Sequence, residues 1–534
     1  MFLNKFYFIK LKFFSIFAEY FVGIMIIYIL IIFLLLVSNI YGILVQKILS
    51  EIIGFILIFA CLLILKEKIH ILNFVYQPTL FSLNKFIHFD LFTKITKFSV
   101  CFFLVVYFFV ISDFLKIYKL TFFEYLLLLL LASLGLILLC SANDFILIFL
   151  AIELISLSSY LLASFRKLSS YSIESGIKYL VIGAVSSSFF LLGCSFVYAY
   201  TGSITLADLK FLLTDSNQAL TFSSSLMFFI EPDFFYFNFL QKKIFLYKFY
   251  SFFIETGVVF IIFSVFIKLA LAPFHFWSLD VYEGSPSVST FFLSSFTKIS
   301  FFVFLTRFCC SVYSYYNQFW LLLVILIGFL SVFFGSFGGI KQKKIKTLLA
   351  YSSISHMGYC LLAFSDFTIL GLETLYFYLF GYVISNIVIW CVILGLKLKN
   401  NYKNKLAKDI SDFVLLNKTN NFLAFGLGIA FFSLAGIPPF FGFIAKFNVF
   451  LILILQRFNL IALLIVLCSV VSAFYYIRLI KILYFESLTI GKLYSFEFNN
   501  TVIFSLAIFC LIFLFVNPTL LYLIIHKMLL FENY

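Results

Sequence analysis

Apolar residues run along this chain in blocks of about 20, the length a helix needs to cross a hydrocarbon core about 30 Å thick. Short polar or basic connections separate them. The pattern predicts spans over 18–37, 48–65, 98–117, 122–140, 144–165, 173–198 and 252–272. It continues with 286–307, 318–339, 346–364, 372–396, 422–454 (interrupted), 461–485 and 502–524. The expected fold is an all-α integral membrane protein of about fourteen transmembrane helices. An even number puts both termini on one side. Basic connections fall on the other: Lys116 and Lys119, Arg166 and Lys167, Lys341 to Lys346, and Lys397 to Lys408, with Arg478 and Lys481. The positive-inside rule makes that the inner face. Two connections are long. Residues 66–97 are mixed and polar. Residues 199–251 open with TGSITLADLKFLL, which predicts a short amphipathic surface helix starting near Thr205.

Two spans carry helix breakers at their centres. In the stretch Lys268 to Ser300, Pro273 stands five residues after Lys268. In SLAGIPPFFGFIAKF, Gly436, Pro438, Pro439 and Gly442 precede Lys446. A proline inside a span removes a backbone hydrogen bond that lipid cannot replace. Paired broken helices, one in each half of a chain, point to an inverted-repeat transporter core. Lys268 precedes its break and Lys446 follows its own, so the expectation is related architecture without visible sequence repetition. The segments read as a three-helix N-terminal part (1–117), a core (118–485) carrying the long loop 199–251, and a C-terminal helix and tail (486–534).

Composition narrows the class. The chain has 534 residues, 64% hydrophobic and 11% charged; a soluble domain cannot bury that much apolar surface. The net charge of +14 sits in the short connections, so it signals topology and solvated loops rather than nucleic-acid binding. The ten cysteines lie mostly in apolar runs without a CxxC, so neither a disulfide framework nor a metal site is expected. No glycine-rich nucleotide motif appears. The 82 phenylalanines, with abundant Ile, Leu, Tyr, Lys and Asn, fit the AT-rich codons of an organellar genome.

A charged side chain at the centre of a span costs about 3 kcal/mol or more, so the deep ones are candidates for chemistry. Glu153, Lys268, Lys298 and Lys446 are deep. Lys178 lies in the first turns of its helix. Asp113, Glu124, Arg307, Glu373 and Arg478 lie near predicted helix ends, where they can snorkel or face water. A buried Glu–Lys set can relay protons or pass electrostatic signals; the plain alternative is structural ion pairs or interhelical hydrogen bonds. His275 and His356 are further candidate proton carriers. His70, His88 and His526 read as loop or terminal residues.

Four stretches carry a family resemblance: ESGIKYLVIGAVSSSFFLLG (Glu174–Gly193), APFHFWSLDVYEGSPS (Ala272–Ser287), IKTLLAYSSISHMGY (Ile345–Tyr359) and SLAGIPPFFGFIAKF (Ser433–Phe447). With helix order they cover roughly residues 120 to 485. The chain resembles the NADH dehydrogenase subunit 2 family of respiratory complex I, relatives of the bacterial fourteen-helix subunit N. DVYEGSP, with Tyr282, is the more specific stretch; residues 216–250 do not match. The resemblance implies that Glu153, Lys178, Lys268, Lys298 and Lys446 are proton-transfer residues of a subunit of proton-translocating NADH:ubiquinone reductase. It implies no cofactor in this chain, with NADH, FMN, iron–sulfur clusters and ubiquinone in other subunits. Its implied partners are other membrane-arm subunits and membrane lipids, and its implied location the inner mitochondrial membrane, with the basic face toward the matrix. Two other classes share these features: a stand-alone cation/proton antiporter, and a structural membrane scaffold.

Overall fold

The computed structural model describes residues 19, 21–27, 42–66, 86–88, 90–112, 114–115, 123–210, 212, 253–312, 317–400, 403–406, 408–414, 416–486, 492–493 and 498–530. The predicted first span is described only at 19 and 21–27. His70, Asp113 and the stretch 216–250 lie outside the described residues. The helices are α1 (Gly42–Lys66), α2 (Leu91–Ser112), α3 (Phe123–Ser141), α4 (Phe145–Ala163) and α5 (Ser170–Thr201), then α6 (253–269). They continue with α7 (Phe276–Gly284), α8 (Ser287–Val312), α9 (Asn317–Gly339), α10 (Ile345–Phe364) and α11 (Ile369–Gly395). The last are α12 (Asn421–Ala435), α13 (Phe441–Leu455), α14 (Asn459–Tyr484), α15 (Phe498–Val516) and α16 (Thr519–Leu530).

Nine helices among the described residues are long and apolar enough to cross a membrane, or ten if α15 and α16 count as one bent span. The expected fourteen is not reached by that measure. Both broken helices fall into pieces too short to qualify alone, α10 is long enough but too polar to qualify, and the first span is described only in part. The span expected over 502–524 is not continuous: α15 and α16 meet at 85°. Asn517 and Pro518 sit at the corner, where proline can neither donate a backbone hydrogen bond nor continue the helix. Among the described residues the only sheet is a small antiparallel one in the order β2-β1-β3. β1 (Lys397–Asn400) and β2 (Lys403–Leu406) form a ribbon from the basic connection, and β3 (Lys492–Leu493) joins its edge. The surface helix expected near Thr205 is present over 206–210, with the Thr205 hydroxyl accepting from Asp208 N at 3.2 Å.

Burial locates the centre. The most apolar window of α8 is 100% buried and that of α11 94%, against 28% for α5 and 33% for α14. Lys298 stands on α8, so it sits at the middle of the bundle. Two helix pairs draw close over glycine. A Cβ on Gly335 of α9 would stand 2.6 Å from Ser355 N of α10, and one on Gly135 would stand 2.7 Å from Ile155 of α4.

The two breaks are built alike. α6 ends at Ala270, whose φ of 59° is left-handed. Leu271 N donates to Phe266 O at 3.1 Å and Ala270 N to Ile267 O at 3.2 Å. α12 ends at Gly436, φ 81°, with Ile437 N donating to Phe432 O at 3.2 Å and Gly436 N to Ser433 O at 3.1 Å. Both are Schellman ends, which satisfy the last helical carbonyls with the following turn. Each is followed, three residues beyond the left-handed one, by a proline in a cis bond: Ala272–Pro273 and Pro438–Pro439. Trp277 Nε1 donates to Ile267 O at 2.9 Å and so bridges the first break. The basic connection before α10 is tied to the same region: Lys344 pairs with Glu283, and Lys346 Nζ donates to Ser285 O at 2.7 Å. Hydrogen bonding to Glu283 holds the Lys344 ammonium above the usual lysine pKa.

Several charges assigned to loops or helix ends are buried instead. Lys97 was expected in the polar connection but lies inside α2, and it pairs with Glu19. Ser141 Oγ also donates to Glu19, at 3.3 Å. Arg307 was expected to snorkel; it is buried, with its guanidinium 5.3 Å from the centroid of the Phe92 ring. Glu373 is also buried, and His526 lies on α16 against it rather than in a tail. Apolar runs mark where helices are, but not how far a neighbouring helix extends over their ends. Removing one member of a buried pair costs about 3–5 kcal/mol, because it strands the other. Lys97→Met is therefore expected to lower the thermal unfolding temperature more than the double variant Glu19→Gln/Lys97→Met, read in detergent solution.

Candidate functional site

Three of the deep residues share one type of seat. Lys268, at the end of α6, donates from Nζ to Tyr160 Oη at 3.1 Å and lies 5.5 Å from the centroid of that ring. Lys298 donates to Tyr382 Oη at 3.4 Å and lies 5.3 Å from its ring centroid. Lys446 stands 5.3 Å from the Tyr359 ring centroid and donates to Ala435 O at 2.9 Å. Among the described residues none of the three pairs with a carboxylate. A desolvated cation over an aromatic face gains about 2 kcal/mol, and a hydrogen bond from a charged donor about 1.5–3 kcal/mol. For Lys268 and Lys298, bonded at the hydroxyl edge, the hydrogen bond carries most of the gain, and it comes near the cost of about 3 kcal/mol for a lysine at that depth. A group so balanced can hold a proton and also give it up.

The broken helices place two of these lysines, Lys268 and Lys446. Ala435 is the last residue of α12, so its carbonyl has no partner further along that helix. Lys446, on the helix after the break, reaches back to it. Gly436 makes room: a Cβ there would lie 2.8 Å from Lys446 Cδ, and its φ of 81° already favours glycine. Lys268 stands two residues before the left-handed Ala270. Tyr160 is seven residues after Glu153 on α4, two turns along the same face. Its hydroxyl passes so close to α5 that a Cβ on Gly183 would stand 1.7 Å from it.

Cavities join the seats into a line. One is lined by Ser156, Lys268, Tyr282, Thr297 and Lys298, among others. A second is lined by His356, Tyr382, Ser385, Gly442 and Lys446, among others. Their volumes are about 10 Å³ and about 20 Å³, the range that holds one water molecule, about 10–15 Å³ or more. Ser156 Oγ stands 3.1 Å from Glu153 Oε2, as donor. The order is therefore Glu153, Ser156, first cavity, Lys268 and Lys298, Tyr382, second cavity, Lys446. His356 stands at the second cavity with Nδ1 2.7 Å from Tyr378 Oη and Nε2 3.0 Å from Tyr476 Oη. One ring nitrogen donates and the other accepts, so the imidazole can pass a proton by exchanging roles.

Two candidates stand off this line. Lys178 is 42% exposed on the outer face of α5, 2.6 Å from Glu174 and 2.8 Å from Asp280. His275 is buried against the Phe276 and Phe334 rings and lines neither cavity. Glu153 and Lys268 do not form a direct ion pair; serine, tyrosine and the first cavity lie between them. The tyrosines went unremarked in the sequence. Tyr160 and Tyr359 could have been found, since they follow Glu153 and His356 by seven and three residues, helical-face spacings. Tyr382 carries no such marker. Tyr282, in the DVYEGSP stretch, donates to Leu293 O on α8 at 3.4 Å and walls the first cavity.

A bundle with two broken helices and a lysine line through its centre is the architecture of an antiporter-like membrane subunit. A family profile described as "NADH:quinone oxidoreductase/Mrp antiporter, TM" matches residues 142–472. The chain is 36% identical over 419 residues to NADH-ubiquinone oxidoreductase chain 2 of Marchantia polymorpha, covering 78% of this chain and 79% of that one. It is 35% identical over 364 residues to NADH-quinone oxidoreductase subunit N of Methylobacterium nodulans, 68% of each chain. In fold it is similar to a chain of respiratory complex I from Thermus thermophilus, with TM-score 0.69 and 23% identity over 95% of this chain and 98% of that one. It is similar also to a chain of an archaeal membrane-bound sulfane sulfur reductase, TM-score 0.80 and 20% identity over 97% of each. A third likeness is to a chain of the Mrp complex from Dietzia sp., TM-score 0.75 and 17% identity over 97% of this chain and 98% of that one. This chain belongs to the NADH:quinone oxidoreductase/Mrp antiporter family of membrane subunits.

Gly436→Ala places a methyl group against Lys446 in a conformation that costs an L-residue about 1–2 kcal/mol. It is expected to move Lys446 Nζ off Ala435 O, visible in a structure of the variant. An unmoved lysine would contradict the fit described.

Proposed function

We propose that this chain is the proton-translocating membrane-arm subunit, of the chain 2 or subunit N type, of an NADH:quinone oxidoreductase. The observation that carries the reading is the line from Glu153 to Lys446 through two cavities, each wall of which holds a lysine. The names of its relatives give the redox reaction that such a line would serve. The likeness to the Mrp chain concerns fold, and the relatives at 33% identity and above that bear names of NADH oxidoreductase subunits favour complex I over a stand-alone antiporter.

In this reading the charge on Glu153 sets the proton affinity of Lys268 through Ser156 and the first cavity. Lys268 gives its proton to water in that cavity, and a neutral Lys298 takes one from the same water, so charge moves without a gap. Lys298 passes it on past Tyr382 to the second cavity, where His356 and Lys446 exchange it. Lys178, with Glu174 and Asp280, would act from the outer face, and His275 from the first break. Redox groups (NADH, FMN, iron–sulfur clusters and ubiquinone) belong in this reading to other subunits. The finer expectations also belong here: fourteen spans with inverted-repeat halves, the inner mitochondrial membrane, a basic matrix face, an organellar gene, and lipid around the exposed apolar helices.

The test is protons moved per NADH oxidised, measured in sealed vesicles that hold the assembled complex. Lys268→Met is expected to lower that ratio much more than it lowers the amount of assembled complex. An unchanged ratio in Lys268→Met excludes the essential role given to Lys268.

A further inference from the structure

The second cavity has a charged pair outside it that the line above does not use. Glu373 sits on α11, four residues into the helix, about 6 Å from its start at 1.5 Å per residue. Its side chain is 12% exposed and contacts His526 Nδ1 on α16, whose side chain is 48% exposed. This end of α11 lies opposite the basic connections, since α10 starts after Lys344 and α11 runs into the basic ribbon. The end of α13 is on the same side, where Ser365 Oγ donates to Gln456 Oε1 at 2.9 Å.

Glu373, Phe377 and Gly381 recur every four residues, so they descend one face of α11 from that surface to the second cavity. Gly381 lines the cavity, and a Cβ there would stand 1.7 Å from the Phe441 ring. Phe441 stacks on Phe377, with centroids 4.4 Å apart, and Phe377 stacks on Tyr522 at 4.3 Å and 7°. Asn448 Nδ2 donates to Tyr522 Oη. Three stacked rings thus separate a buried carboxylate and its half-exposed histidine from the cavity of His356 and Lys446. Holding α16 in place does not call for an ionisable pair: the Phe377–Tyr522 stack and the Asn448–Tyr522 hydrogen bond already fix it, and buried pairs seldom add net stability.

We propose that Glu373 and His526 form the outer proton-exchange site of the Lys446 cavity, with Phe377, Phe441 and Tyr522 as the aromatic gate between them. In the form of the pair without the transferred proton, His526 Nδ1–H donates to the Glu373 carboxylate, and the pair carries one negative charge. One proton delivered to Nε2 by hydronium, which leaves as water, gives imidazolium. The Nδ1 proton then moves to Oε1, leaving a neutral acid and a neutral imidazole, and the charge of the pair has risen from minus one to zero. Movement of the Phe441 ring lets water carry that proton to the cavity, and the reverse order releases one. This inference rests on the proton-translocating role proposed above.

The experiment reads protons per NADH in sealed vesicles carrying the assembled complex, so that loss of enzyme cancels. Glu373→Gln, which keeps the shape and loses the proton, is expected to lower the ratio, and Glu373→Asp to restore it. His526→Ala is expected to lower it as well, and imidazole added on the side that His526 faces to bring it back. An unchanged ratio in Glu373→Gln overturns the site. So does a loss in His526→Ala that imidazole leaves unrepaired, which marks a purely structural contact; if Glu373→Gln fails to assemble, this rescue decides alone. Lys446→Met runs in parallel. If it lowers the ratio and Glu373→Gln does not, the outer site falls and the proton-translocating role stands. If neither changes the ratio, that role falls too.

Discussion

An ammonium group in a protein core surrounded by lipid needs compensation close to its own cost, and the kind of compensation decides what it can do. A carboxylate at ion-pair distance would fix the charge in place. Here Lys268 and Lys298 sit instead at the hydroxyl edges of Tyr160 and Tyr382, and Lys446 beside the Tyr359 ring, each 5.3–5.5 Å from a ring centroid. Each has a hydroxyl or carbonyl acceptor as well. These contacts hold the cation without matching it to a fixed anion. A carboxylate three residues from Ser156 can then act through space and through one small cavity, shifting the balance without locking it.

The backbone makes this seating possible. Both breaks use the same turn, with a left-handed residue followed three positions later by a cis proline. That turn frees a helix end inside the bundle, and each free end serves a lysine differently. Lys268 is carried on the helix that ends. Lys446 is carried on the helix that begins, and it reaches back to the open Ala435 carbonyl. The most buried helices, α8 and α11, lie between the breaks and carry Lys298 and Tyr382. The geometry of the halves is therefore more alike than their sequences.

The helices, the two breaks and the deep charges were legible in the sequence because each leaves a local mark: an apolar run, a proline, or a charge in hydrocarbon. The partners of those charges were less legible. Tyr382 meets Lys298 across 84 residues, and nothing local announces such a contact. Burial at helix ends was misread for the same reason. Lys97 looks like a loop residue along the chain and Arg307 and Glu373 look snorkelled, yet Glu19, Phe92 and His526 arrive from distant segments to cover them. Pro518 did leave a local mark, and the apolar run around it masked the corner it makes. Lys178, placed in the first turns of its helix and singled out by the resemblance, faces outward on α5 while its neighbour Tyr179 faces the first cavity.

Lys298 is the residue on which the line depends, because it stands between the two cavities and is 4% exposed. The most direct measurement is therefore the number of protons moved per NADH in sealed vesicles carrying Lys298→Met in the assembled complex. Methionine keeps the length and apolar stem of the side chain and removes its proton. The account predicts a fall in that ratio with the complex still assembled. An unaltered ratio would mean that protons, or the signal that moves them, do not pass through the centre of this subunit.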